Sequence, residues 1–158
     1  MNARIERLRG QISADRTLFT VHATRLAALG PLTDEGKTAV AAWALHHAYT
    51  AIEAILERVA RELEGGVPAG PEWHRDLLSG AAVDVDGVRP PVFTASVVAA
   101  LHELRAFRHF SRHGYGAPFD PARVTHVAAT LATLAAPVGR ELQAFDGFLK
   151  QVSAESRP

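Results

Sequence analysis

The sequence predicts an all-α domain, a bundle of four to five helices, and three observations predict it. Apolar residues recur at three- and four-residue spacing through four long segments. Those segments are separated by helix-stopping or helix-starting signals: Gly30-Pro31, Gly65-Gly66, Gly114 and Asp120-Pro121. The one stretch of turn chemistry that could pair as a hairpin, residues 84–91 (DVDGVRPP), is too short to make a sheet. With 158 residues, 47% of them hydrophobic and 22% charged, residues 1–158 read as one domain able to bury a single core.

The first helix is predicted over about residues 3–29, on Ile5, Leu8, Ile12, Phe19, Leu26 and Leu29. Asp15 and His22 interrupt that stripe, either pairing across a dimer or marking a partly exposed edge. Gly30-Pro31 stops the helix, and Thr33 is the expected N-cap of the next, ahead of Asp34 and Glu35. The second helix runs to about Leu63, with Trp43, His47, Ile52, Ile55, Leu56, Val59 and Leu63 expected on its inner side. A loop follows over about 65–91, carrying a short amphipathic piece with Trp73, Leu77 and Leu78. Thr94 can cap a helix over about 94–113, whose apolar face is Val97, Val98, Leu101, Leu104 and Phe107. Asp120 as N-cap and Pro121 as first helical residue start the last helix, about 121–150. Its near-heptad stripe is Val124, Val127, Leu131, Leu134, Val138, Leu142, Phe145 and Phe148, with a kink expected at Pro137. The tail from about Ser153 is expected to fray.

Composition removes several function classes. There is no cysteine, which rules out disulfides, thiolate metal sites and a cysteine nucleophile. Lys+Arg and Asp+Glu are both 17, so any attraction for nucleic acid must come from a local patch. No apolar run approaches the roughly 20 residues of a membrane span. The mixed-charge stretch from Met1 to Gly10 lacks the apolar core of a signal peptide. The expectation is a soluble, cytoplasmic protein without membrane contact.

One stretch stands out chemically. Arg105, Arg108, His109, Arg112 and His113 lie within nine residues that contain no acid. The three arginines recur at i, i+3 and i+7, on one side of a helix. A basic last turn also suits the helix dipole, so spacing alone leaves an ordinary helix end and a functional site open. Read functionally, arginine forks hold a phosphate while a histidine moves protons. Positions 108 and 113 are five apart, which separates them by roughly 140° on a continuous helix. They converge on one phosphate if the helix loosens near His113, which Gly114 and Gly116 would permit, or if a second copy of the motif faces the first.

The segment R-H-F-S-R-H-G-Y, residues 108–115, resembles the RX4HXY signature of HepT-type toxins in the HEPN superfamily. Arg108, His113 and Tyr115 fall on its Arg, His and Tyr positions. His109 stands directly after the arginine, where these proteins commonly carry a polar residue. The stretch from Tyr49 through Glu53 to Arg58 is similar to the second helix of HepT-like proteins, and the likeness extends over about residues 35–150. The resemblance implies a HEPN-like dimer with two motifs lining one cleft, and RNA cleavage without a metal or other cofactor. It implies Arg108 and His113 as catalytic residues, with His109, Arg105 and Arg112 supporting RNA binding. It also implies a partner, an MntA-type nucleotidyltransferase antitoxin that adds AMP to Tyr115. The long 65–91 loop and the long first helix depart from the family pattern.

The residues support that chemistry. RNA carries its own nucleophile, the 2′-hydroxyl beside the scissile phosphate. Arginine stays charged and can donate two parallel hydrogen bonds to phosphate oxygens, and histidine exchanges protons near neutral pH. The alternative from a different class is a non-catalytic HEPN-like module that holds RNA or nucleotide, or acts as a scaffold, beside a nucleotidyltransferase. His109 and His113 also have the i, i+4 spacing of metal ligands, but adjacent arginines would repel a cation. Glu53 is expected on the surface, the alternative being a second-helix acid that reaches the site; Trp43 and Trp73 are expected in the core, Asp84 and Asp86 in a solvated turn, and His46 and His47 one out and one in.

Overall fold

The computed structural model describes residues 2–113 and 118–155, with side chains described over 3–109 and 118–155. Five helices follow one another: α1 (Asn2–Ala28), α2 (Glu35–Leu63), α3 (Trp73–Gly80), α4 (Ala95–His113) and α5 (Pro121–Glu155). The fold is all-α. Among the described residues the only extended pairing is a single antiparallel bridge between Val85 and Arg89.

The central helix is α2, which packs against all four others. Its buried residues include Thr38, Ala41, Ala42, Ala44, Leu45, Ala48, Tyr49, Ala51, Ile52, Glu53, Ile55, Leu56, Val59 and Ala60. A helix buried over so much of its circumference belongs in the middle of a bundle, and the many alanines let neighbouring backbones come close. On one side α1 lays Ile5, Leu8, Ile12, Phe19 and Leu26 into the core, and on the other α4 brings Val97, Val98, Leu101, Leu104 and Phe107. The stripe of α5 closes the bundle with Val124, Val127, Leu131, Leu134, Val138, Leu142, Phe145 and Leu149.

The helix ends follow local chemistry. Gly30 at φ 64° and Gly65 at φ 83° take the left-handed conformation that ends α1 and α2. Asp34, not Thr33, caps α2: its Oδ1 accepts from the amide of Lys37 at 2.9 Å. Asp has the better geometry because it directly precedes the first helical residue. Asp120 accepts from the amide of Ala122 at 3.0 Å at the start of α5. Pro137 lies inside one continuous α5. That helix continues to Glu155, and Ser153 is buried, its hydroxyl donating to Glu6 at 2.8 Å, so over the described residues 153–155 the chain is helical rather than frayed.

Two interruptions of the α1 stripe are buried rather than edge positions. Asp15 accepts from Arg58 Nε at 2.8 Å. His22 packs edge-on to Trp43, with ring centroids 5.1 Å apart, and stacks on His47 at 5.4 Å. Trp43 itself is 46% exposed, not core, because it lies over the α1–α2 seam with Arg25 5.2 Å from its ring. His46 and His47 are both half-buried, and Asp84 and Asp86 are exposed. The connection into α4 is ordered by Arg89, whose guanidinium meets Glu64 at 2.6 Å and the carbonyls of Val83, Pro90 and Gly80. No helix of the described residues is long and apolar enough to cross a membrane.

Candidate functional site

The cationic stretch of α4 faces a cleft of about 740 Å³ between α4, α3 and the middle of α2. Arg105, Arg108 and His109 line it from α4, Glu53 from α2, and Trp73, His74 and Arg75 from α3. The segment 70–72 forms its rim. The segment after α2, through residues 70–72 and the start of α3, therefore builds one wall of the site.

Glu53 is the floor. It is 4% exposed and uses both carboxylate oxygens. Oε1 accepts from Arg108 Nη1 at 2.5 Å, and Oε2 accepts from His74 Nδ1 at 2.7 Å. The Arg108 guanidinium also sits 5.6 Å from the centre of the Tyr49 ring, one helical turn before Glu53 on α2. Burial, and then the Glu53 charge, hold the Tyr49 hydroxyl protonated well above the usual tyrosine range, with Arg105 and Arg108 opposing. Arg108 is thus oriented by a carboxylate and an aromatic face, and it still lines open space.

Arg105 lies one turn earlier on α4, and its Nε donates to His102 Nδ1 at 3.3 Å. The His102 Nε2 stands 3.2 Å from Ser79 Oγ, tying α4 to α3. Burial, then the charges of Arg105 and Arg75, push the His102 imidazole below its usual range, so it is a neutral acceptor for Arg105. On α3, Trp73 and His74 stack with centroids 3.6 Å apart and planes at 28°. Trp73 is half-buried at the cleft rather than sealed in the core.

Of the residues singled out in the sequence, Arg105, Arg108 and His109 share this cleft. The Arg112 and His113 side chains and the whole of Tyr115 lie outside the described residues. The backbone of α4 is helical through His113, so within the described chain the helix does not loosen between positions 108 and 113. Among the described residues no group of three or more His, Asp or Glu is placed to hold a metal ion.

Sequence reasoning favoured a surface position for Glu53 over an acid that reaches the site, and assigned His74 no role. A signal for Glu53 was present: it lies on the same row of α2 as Leu45, Tyr49, Leu56 and Ala60, and an acid in an apolar row needs a cation. His74 carries no comparable signal, since its partner is 21 residues away on another helix.

Comparison with known families decides the kinship. A family model described as HepT-like protein matches residues 40–149, well over half of the chain. The chain belongs to the HepT-like family. The match spans most of α2, all of α3 and α4, and α5 to within a few residues of its end, so it contains every wall of the cleft. It leaves out α1 and the first residues of α2. No curated protein and no solved structure matches this HepT-like protein.

Proposed function

We propose that this HepT-like protein is a metal-independent endoribonuclease, the toxin of a toxin–antitoxin pair. The observation that carries the reading is the position of Arg108: a motif arginine, oriented by Glu53 and Tyr49, on the wall of a cleft that also presents Arg105, His109 and Arg75. A net-neutral chain that gathers this much positive charge in one hollow is suited to an anionic, phosphate-bearing substrate.

In the reaction, the 2′-oxygen of RNA attacks the adjacent phosphorus. The O2′–P bond forms, the P–O5′ bond breaks, and a 2′,3′-cyclic phosphate and a 5′-hydroxyl result. His113 takes the proton of the 2′-hydroxyl, and Arg108 donates to the phosphoryl oxygens as their charge grows. Positions 108 and 113 are roughly 140° apart on a continuous helix, and α4 is helical through both. That favours a homodimer in which Arg108 of one copy works with His113 of the other. Family membership further supports restraint by an MntA-type nucleotidyltransferase that adds AMP to Tyr115, placing a bulky anion beside the cationic wall.

The test is incubation of the purified protein with total RNA in excess EDTA, beside Arg108→Ala and His113→Ala. Cleavage by the wild type alone, leaving cyclic-phosphate ends, is the expected result. An inert protein of unmodified mass would instead favour the non-catalytic RNA- or nucleotide-binding module.

A further inference from the structure

Transesterification of RNA moves two protons: one leaves the 2′-hydroxyl and one must reach the departing 5′-oxygen. We infer that His74, on α3, is the acid that protonates the leaving 5′-oxygen. The inference rests on the ribonuclease reading and extends it to a residue outside the RX4HXY motif.

Three features of the cleft carry it. A carboxylate can only accept hydrogen bonds, so the 2.7 Å contact fixes a proton on His74 Nδ1. Nε2 is then the nitrogen that exchanges protons with the cleft His74 lines, and no described residue bonds to it. Second, the carboxylate that holds His74 is the one that holds Arg108, so the imidazole and the phosphate-binding guanidinium are fixed by two oxygens of one buried group. A carboxylate at Nδ1 holds the ring in one tautomer and supports the imidazolium. Third, Trp73 stacks on the ring at 3.6 Å and limits its rotation. The groups facing His74 are Glu53 from α2, Glu72 and Arg75 beside it, and Arg105, Arg108 and His109 from α4. The imidazoles that line the cleft beside Arg108 are those of His74 and His109, and His74 is bonded to the carboxylate that also holds Arg108.

In the step, the P–O5′ bond breaks as the proton on Nε2 passes to O5′. The neutral ring left behind retains its Nδ1 proton on Glu53 and regains the other from water. His74 must therefore carry a proton on Nε2 for turnover.

The experiment compares wild type and His74→Gln, a variant that retains an N–H donor for Glu53, on two oligoribonucleotides in EDTA. One is unmodified. The other carries sulfur in place of the 5′-bridging oxygen at the cleaved linkage, and a thiolate leaves without a proton. For the unmodified RNA, His74→Gln lowers kcat by roughly 10²- to 10⁴-fold. For the sulfur-bridged RNA its kcat stays within a few-fold of wild type, and the KM for either RNA hardly moves. Equal slowing on both substrates, or wild-type kcat on both, would overturn the assignment. Failure of the wild type to cleave either RNA overturns the ribonuclease reading itself and the acid with it. A wild type that cleaves beside a His74→Gln variant that cleaves equally well overturns only the role of His74.

Discussion

Two arginines in this protein pair with a glutamate on another element, Arg89 buried and Arg108 half-buried, and they do opposite things. Arg89 meets Glu64 at 2.6 Å, and Arg108 meets Glu53 at 2.5 Å. The Arg89 side chain is 3% exposed and is wrapped by the carbonyls of Val83, Pro90 and Gly80, which fixes the α3–α4 connection. The Arg108 side chain is 14% exposed, rests against the Tyr49 ring and faces a cleft. The pairs have the same chemistry and nearly the same distance. What separates a staple from a site is the surroundings: main-chain acceptors on every side in one case, open space and further cations in the other.

The largest expected effect breaks the staple. Arg89→Met leaves Glu64 and three carbonyls without their donor and costs about 3–5 kcal/mol of folding stability. Denaturant unfolding measures it, and cleavage per folded molecule stays at the wild-type level. Next comes Glu53→Gln, which keeps the volume but removes the charge shared by Arg108 and His74. Its stability cost is about 1–3 kcal/mol, and kcat for RNA falls more steeply than the stability. An unchanged kcat would move Glu53 to the structural side of the comparison.

A smaller effect is a pH dependence of stability. Burial, then the charges of His47 and Arg25, lower the His22 pKa from its ordinary value of 6.5, and burial lowers that of His102 as well. Both rings are harder to protonate folded than unfolded. Stability is therefore full above pH 6.5 and falls as pH drops from there toward their folded midpoints. His22→Leu should shallow that acid-side slope in thermal melts, and His22→Leu with His102→Gln should shallow it further. The smallest effect is at Trp43: with 46% of its surface exposed, Trp43→Ser should change stability by only about 0.5 kcal/mol and leave RNA cleavage alone.

The helices were legible in the sequence because their ends are written in local chemistry: Gly30-Pro31, Gly65 and Asp120-Pro121 act on their own neighbours. Arg108 was legible because it sits in a dense cationic cluster that resembles a known motif. The partners of Arg108 were not. Glu53 is 55 residues away, and a lone acid on a long helix reads as solvated until the phase of the helix is known. Sequence reading put Ile52, Ile55, Leu56 and Val59 on the inner side, where they are buried, but extended that side through Trp43 and His47 instead of Leu45 and Tyr49. That shift in phase turns Glu53 inward and Trp43 outward. Asp15 was ambiguous for the same reason, its partner Arg58 being 43 residues on.

The central claim is that Glu53 holds Arg108 for use rather than for stability. The most direct test is a double-mutant cycle of Arg108→Ala and Glu53→Gln, reading kcat/KM for RNA cleavage and unfolding free energy on the same four proteins. The predicted result is strong coupling in activity: Arg108→Ala lowers kcat/KM by roughly 10²- to 10³-fold, and adding Glu53→Gln lowers it by much less than it does in the wild type. The contradicting result is an Arg108→Ala protein that cleaves RNA at the wild-type rate while losing as much stability as Arg89→Met, which would make Arg108 a second staple.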